Sequence, residues 1–167
     1  MIGIREVSGA LLAVAVVACA SRTTTAGTTS GPARWSGSFK QSTLSSSATI
    51  GPATPGRAAA YGTITLTPNE PDSGRTKIEL SINVSVQPGM QIAWALFSGP
   101  CGSPTPPLAG PNEFPTISVS NSGSGFVRTT MPITITERGT YHANVYWSSQ
   151  VSDVSNVMMC ANLARER

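Results

Sequence analysis

Residues 76–86 read Thr76-Lys77-Ile78-Glu79-Leu80-Ser81-Ile82-Asn83-Val84-Ser85-Val86 and are the most regular stretch of the chain. From Ile78 onward every second residue is apolar, which is the period of a β-strand with one face in a core and the other in water. Gln87-Pro88-Gly89 follows at once, and this is a turn sequence because proline presets φ and glycine tolerates a positive φ. The stretch predicts a half-buried strand that ends in a tight turn.

Similar short apolar runs recur on both sides of this strand, and no segment has the apolar period of a helix. We expect further strands near 34–40, 61–67, 90–97, 117–120, 126–135, 140–147 and 157–163, with a strand fragment near 48–50. Pro68-Asn69 is expected to end the 61–67 strand. Turns are predicted at Asp72-Ser73-Gly74, Asn121-Ser122-Gly123 and Glu137-Arg138-Gly139, and long loops at 41–60 and 99–116. Seven or eight short antiparallel strands favour an all-β fold, a Greek-key β-sandwich or flattened barrel.

The N-terminal segment, residues 1–18, has the pattern of a secretory signal. Its apolar run from Ala10 to Val17 fits the roughly 7–15 residues of a signal peptide and is shorter than the about 20 residues of a spanning helix. Small residues before Cys19 resemble the lipobox of bacterial lipoproteins, in which the cysteine receives diacylglycerol and acyl groups such as palmitate. The alternative is an ordinary signal cleaved near Ala18 or Ala20, which would leave a free thiol.

The expected location is therefore the bacterial cell envelope, with the protein anchored to the membrane by lipid on Cys19. No aspartate follows Cys19, which favours the outer membrane if the host has two membranes. Residues 19–33 lack large apolar side chains and predict a flexible tether, so the folded domain would occupy 34–167. The net charge of +3 is scattered along the chain, so the sequence gives no support for a nucleic-acid partner.

The other two cysteines, Cys101 and Cys160, are an even pair in a chain expected to be exported. In an oxidising compartment they should form a disulfide that clamps the 99–116 loop to the last strand. A metal-binding or redox-active thiol pair is the alternative, although the two cysteines are far apart in sequence and no histidine lies near either in the short spacing of a metal site.

Several motifs occur in the order of a known domain. They are Pro88-Gly89, Trp94-Ala95-Leu96-Phe97-Ser98-Gly99-Pro100-Cys101, Gly110-Pro111-Asn112-Glu113-Phe114-Pro115, Tyr141-His142-Ala143-Asn144-Val145-Tyr146 and Met159-Cys160-Ala161-Asn162-Leu163. Across about residues 61–163 the chain resembles the copper/zinc superoxide dismutase-like β-sandwich of lipid-anchored bacterial proteins. The resemblance implies the same scaffold and the same clamp between the loop cysteine and the terminal cysteine.

The resemblance also implies where metal ligands would lie. The family's copper-binding histidines correspond to Ala95, Phe97 and Tyr146, and no histidine occurs in residues 98–116, where zinc ligands would be. Imidazole nitrogen is the donor that such sites need. We therefore expect no dismutase activity and no metal cofactor. His142 lies one register step away from the family's position, so we expect an ordinary hydrogen-bonded histidine there.

Three functions are compatible with these features. The first is a non-catalytic, lipid-anchored binding or structural module, in which Ala95, Phe97 and Tyr146 form a small recognition patch for an unknown envelope partner. The second is a residual copper- or zinc-binding protein that uses His142 with Met158 or Met159. Adjacent strand residues point to opposite faces, so the two methionines could ligate one ion together only if the strand had a β-bulge. The third is an enzyme with an unrecognised site, which only the long loops favour.

Overall fold

A computed structural model describes residues 33–42, 60–69, 74–151 and 154–166 of the chain. The predicted signal peptide, Cys19, almost all of the predicted tether, the turn residues 72–73 and positions 43–59 of the 41–60 loop lie outside the described residues. Within the described ranges there is no α-helix, only a short 3₁₀-helix at Val154–Asn156. The strands are β1 (Trp35–Gln41), β2 (Tyr61–Asn69), β3 (Arg75–Asn83), β4 (Gln91–Ile92), β5 (Trp94–Ser98), β6 (Ile117–Ser118), β7 (Ser124–Met131), β8 (Tyr141–Tyr146) and β9 (Val157–Arg165).

Seven of these strands form one curled antiparallel sheet in the order β5-β8-β9-β1-β2-β3-β7. The remaining two, β4 and β6, pair with each other and span the opening between its edge strands. The pair lies there because both of its strands are tied to an edge strand. Strand β4 continues into β5 through Ala93, and β6 is followed by Val119, which forms a β-bridge with Gly125 of β7. The order β9-β1-β2-β3, with a late strand beside the first, has the Greek-key form. The predicted all-β sandwich or flattened barrel is confirmed.

Strand β3 shows the physical basis of this fold most clearly. Ile78, Leu80 and Ile82 are buried, while the residues between them face outward, as their alternation predicts. All the residues of β3 pair with β2 on one side, and all of them except Arg75 pair with β7 on the other side. The inward residues of the neighbouring strands complete the same core, which contains Trp35, Phe39, Ile64, Leu66, Val127 and Leu163.

Four predicted boundaries are corrected by the structure. The strand that was predicted to continue through Val86 ends at Asn83. The strand predicted to stop at Thr67 continues through Pro68 and Asn69, because β3 extends far enough to pair with both of them. The predicted strand 126–135 ends at Met131, since Pro132 has no N–H to continue a ladder. The predicted strand 90–97 is divided into β4 and β5 at Ala93, whose N–H donates to the Ser148 carbonyl, beyond the end of β8.

A tyrosine holds the connection between β7 and β8. The Tyr141 hydroxyl accepts a hydrogen bond from the Thr136 N–H at 2.8 Å, five residues upstream. Gly139 lies against the same ring, so closely that a Cβ there would overlap the hydroxyl. This arrangement resembles the tyrosine corner of Greek-key sandwiches. This corner was not predicted from the sequence, although a tyrosine that begins a strand just after a glycine turn is a signal for it.

We expect Tyr141→Phe to lower the free energy of unfolding by about 1 kcal/mol, because the substitution removes this hydrogen bond and leaves the ring in place. Urea denaturation measures the change. Tyr61→Phe is the matched control, since Tyr61 is 59% exposed and its hydroxyl lies outside the core. Equal stability of Tyr141→Phe and the unsubstituted protein would contradict this role for the corner.

Candidate functional site

The candidate site lies on β5 and β8, which pair in antiparallel register. Phe97 lies opposite His142, and Ala95 lies opposite Asn144. Alternation places these four side chains on one face of the sheet, and Trp94, Leu96, Ala143 and Val145 on the other. Tyr146 shares the face of Asn144, whose side chain hydrogen-bonds to the phenol. The three positions that were predicted to form a patch therefore do lie on one face.

These strands are buried on both faces, which corrects the prediction of an accessible recognition patch. Phe97 is 6% exposed, and Ala95 and Tyr146 are less exposed still. The 99–116 loop folds along the edge of β5, where the Leu108 N–H donates to the Leu96 carbonyl at 2.8 Å. An unbroken apolar run such as 92–97 is typical of a strand that is covered on both sides. This run was the available sign that the patch residues would be buried.

His142 is the central polar residue of this buried cluster. It is 1% exposed, and its Nδ1 lies 2.9 Å from the Gly99 carbonyl oxygen. A carbonyl only accepts hydrogen bonds, so Nδ1 carries the proton in this contact. The imidazole also stacks on Phe97, with ring centroids 5.0 Å apart and planes 14° from parallel. The predicted hydrogen-bonded histidine is confirmed, and one of its two nitrogens is already used.

The cluster is electrically neutral near pH 7. Burial lowers the pKa of His142 below its usual value, against the opposing effect of the Gly99 carbonyl. Burial likewise raises the pKa of Tyr146, against the opposing effect of the Asn144 hydrogen bond. The histidine is therefore favoured as the neutral imidazole and the tyrosine as the protonated phenol.

The two methionines do not complete a metal site with His142. Met159 pairs with Val145 and Val157 pairs with Tyr146, so Met158 lies at a register shift on β9, where alternation does not fix the direction of its side chain. His142 pairs with Asn162, which is four residues along β9 from Met158, a distance of about 13 Å at strand rise. Within the described ranges, no group of three or more histidine, cysteine, aspartate or glutamate residues is arranged to hold a metal ion.

A disulfide joins Cys101 to Cys160, with their Cα atoms 6.1 Å apart, so the predicted bond is confirmed. Beside it, the Cys101 N–H donates to Asn162 Oδ1 at 2.7 Å. The start of the loop is thus held to β9 by a covalent bond and a hydrogen bond, two residues from the Gly99 carbonyl that accepts from His142. The clamp and the buried histidine belong to one structural unit.

The burial of His142 predicts that the stability of the protein depends on pH. Because the pKa of His142 is lower in the folded protein than in the unfolded chain, the unfolded state binds more protons as the pH falls. Stability should be full well above pH 6.5, the usual pKa of histidine, and should decrease as the pH falls through that value. The chain has one histidine, so His142→Gln should abolish this slope in denaturant titrations. An unchanged slope in His142→Gln would contradict the assignment.

Among the described residues, no helix is long and apolar enough to cross a membrane. Comparison of the chain with protein-family models, with curated proteins and with solved structures finds no significant match.

Proposed function

We propose that the chain is a non-catalytic, lipid-anchored lipoprotein of the bacterial cell envelope, with a superoxide dismutase-like β-sandwich that serves as a binding or structural module. The buried neutral cluster on β5 and β8 is the observation that carries this proposal. In the resemblance to that family, Ala95, Phe97 and Tyr146 correspond to copper ligands, and none of them offers an imidazole nitrogen. Phe97 instead packs on His142, which donates to Gly99.

The scaffold supports the family resemblance more than it supports any activity. The Cys101–Cys160 bond joins the loop after β5 to the last strand, in the order that the resemblance implies. Sandwich architectures of this kind are shared by proteins of unrelated function, so function must be argued from the site. Here the site is packed with apolar and hydrogen-bonded side chains, which supports a structural role for this face.

The cysteine count supports the lipid anchor. With Cys101 and Cys160 in a disulfide, Cys19 is the remaining cysteine of the chain, and it follows the apolar run and small residues of a lipobox. Each acyl CH₂ buried in a bilayer contributes about 0.8 kcal/mol, so the two or three chains of a lipoprotein would hold the protein firmly. Placement in the outer membrane applies if the host has two membranes.

Intact mass of the membrane-extracted protein tests this proposal. We expect a chain that begins at Cys19, carries the added mass of acyl groups, and has no free thiol at Cys101 or Cys160. Cys19→Ser should move the protein out of the membrane fraction, while the neighbouring Ser21→Ala should leave it there. An unacylated Cys19, or a Cys19→Ser variant that stays with the membrane, would overturn the anchor.

A further inference from the structure

The outer face of β1, β2, β3 and β7 carries two rows of uncharged side chains, which are hydroxyl, amide and aromatic groups. In the first row, the strand register places Ser38, Thr63, Ser81 and Phe126 side by side. In the second row it places Tyr61, Asn83 and Ser124 side by side. Their sequence neighbours Ile64, Leu80, Ile82 and Val127 point into the core, so both rows face outward.

Two aromatic rings stand out on this face. Tyr61 is 59% exposed and Phe126 is 56% exposed, and they are the large exposed hydrophobic side chains of the described residues. The Arg128 guanidinium lies 5.6 Å from the centre of the Phe126 ring and is itself paired with Glu79 at 2.7 Å. The Phe126 ring is therefore supported at its base while more than half of its surface stays in contact with solvent.

A cavity of about 390 Å³ lies beside Tyr61, and hydroxyl and amide side chains line it. One of these is Ser81, whose register partner on β7 is Phe126. No charged side chain is among the described residues that line it. Ser38 also lines a neighbouring cavity of about 500 Å³, which reaches Cys160 and Asn162 on β9. From β9 to β7 the two cavities cross five strands, or about 19 Å at the usual strand spacing.

This lining matches one ligand chemistry better than others. A sugar ring has an apolar C–H face that packs on an aromatic ring and a rim of hydroxyls that bond to hydroxyl and amide side chains. A nucleic acid needs cations for its phosphates, and among the described residues that line the two cavities only Lys40 is a cation. An added peptide strand needs an open sheet edge, whereas the residues of these rows on β1, β2 and β3 lie on strands that are paired on both sides. Only Ser124 and Phe126 lie on the edge strand β7.

We propose that the outer face of β1, β2, β3 and β7 binds a neutral glycan chain, with Tyr61 and Phe126 as stacking platforms and Ser81 and Asn83 as hydrogen-bonding groups between them. This surface is separate from the buried cluster on β5 and β8. The inference goes beyond the proposed function, since glycan binding here depends neither on the lipid anchor nor on the absence of catalysis.

The test is calorimetric titration of the full-length protein, in micelles of a detergent without a sugar headgroup, against cellohexaose, chitohexaose and maltohexaose. We expect saturable binding of at least one of the three. Tyr61→Ala and Phe126→Ala should each weaken it about tenfold or more, because each removes a stacking surface. Tyr61→Phe keeps the ring and should retain most of the affinity. Ser81→Arg should block the cavity, and its outward position leaves the core intact.

Three results would overturn the proposal. They are no binding of any of the three neutral hexamers, affinities in Tyr61→Ala and Phe126→Ala equal to that of the unsubstituted protein, and tighter binding of an acidic hexamer such as hexagalacturonate. Thermal unfolding of each variant shows whether a lost signal reflects a lost fold. Because both rings are more than half exposed, we expect their alanine variants to unfold at nearly the same temperature as the unsubstituted protein.

Discussion

Removal of the disulfide by the double substitution Cys101→Ala and Cys160→Ala is expected to lower the free energy of unfolding by about 4 kcal/mol. The bond joins cysteines that are 59 residues apart in sequence. It stabilises the folded state because it restricts the unfolded chain to a closed loop and so lowers the conformational entropy of the unfolded state. Small domains are stable by only about 5–15 kcal/mol, so this is a large fraction of the total. Urea denaturation of the oxidised protein and the variant measures the difference.

The unsubstituted protein under reducing conditions is the matched control for this experiment. It retains both sulfurs without the bond and should match the double variant to within about 1 kcal/mol. A loss of less than about 1 kcal/mol in both would mean that the bond does not clamp the loop. A large loss in the variant alone would instead assign the effect to packing of the cysteine side chains.

Trp94→Ala is expected to cost about 3–5 kcal/mol, the usual range for truncating a buried aromatic residue. Trp94 is fully buried, and its ring meets Phe114 edge to face with centroids 5.0 Å apart. Its Nε1–H also donates to the Pro115 carbonyl at 2.7 Å. The substitution therefore leaves a cavity in the core and releases the far end of the 99–116 loop.

Trp94→Phe separates the two contributions. It keeps much of the apolar contact and removes the hydrogen bond to Pro115, so it should cost clearly less than Trp94→Ala. Thermal and urea unfolding of both variants are the measurements. A loss below about 1 kcal/mol in Trp94→Ala would show that neither the ring nor its hydrogen bond anchors the loop.

Together these two experiments address the 99–116 loop as a part of the fold. The disulfide and the His142–Gly99 contact hold its beginning, and Trp94 with Phe114 and Pro115 holds its end. In between, Leu108 hydrogen-bonds to the edge of β5. Such a loop covers a sheet edge that would otherwise be open, which is a common way to protect one.

The strands with one wet face were predictable from sequence, and β3 is the clearest example. Its alternation from Ile78 to Ile82 reports directly which residues meet the core, because successive side chains point to opposite faces. The disulfide was predictable as well, since two cysteines remain once Cys19 is assigned to a lipobox. Strand ends were less predictable, because Pro68 and Asn69 extend β2 only where β3 provides a partner.

The burial of the candidate site was not predicted, for a physical reason. Alternation places Ala95, Phe97 and Tyr146 on one face but says nothing about what covers that face. Coverage depends on where the 99–116 loop folds, and that is set by contacts distant in sequence, such as those of Cys101 with Cys160 and of His142 with Gly99. The cavity beside Tyr61 was not predicted either. Its lining residues come from strands that are distant in sequence, and only the cross-strand register brings them together.

We propose that the packed, neutral face of β5 and β8 holds no metal ion, and metal content tests this most directly. Full-length protein, purified without chelators, should be analysed for copper and zinc by mass spectrometry and assayed for superoxide dismutation. We expect both metals far below one ion per chain and no dismutase activity above that of buffer. About one copper or zinc ion per chain, lost in His142→Gln, would contradict this assignment.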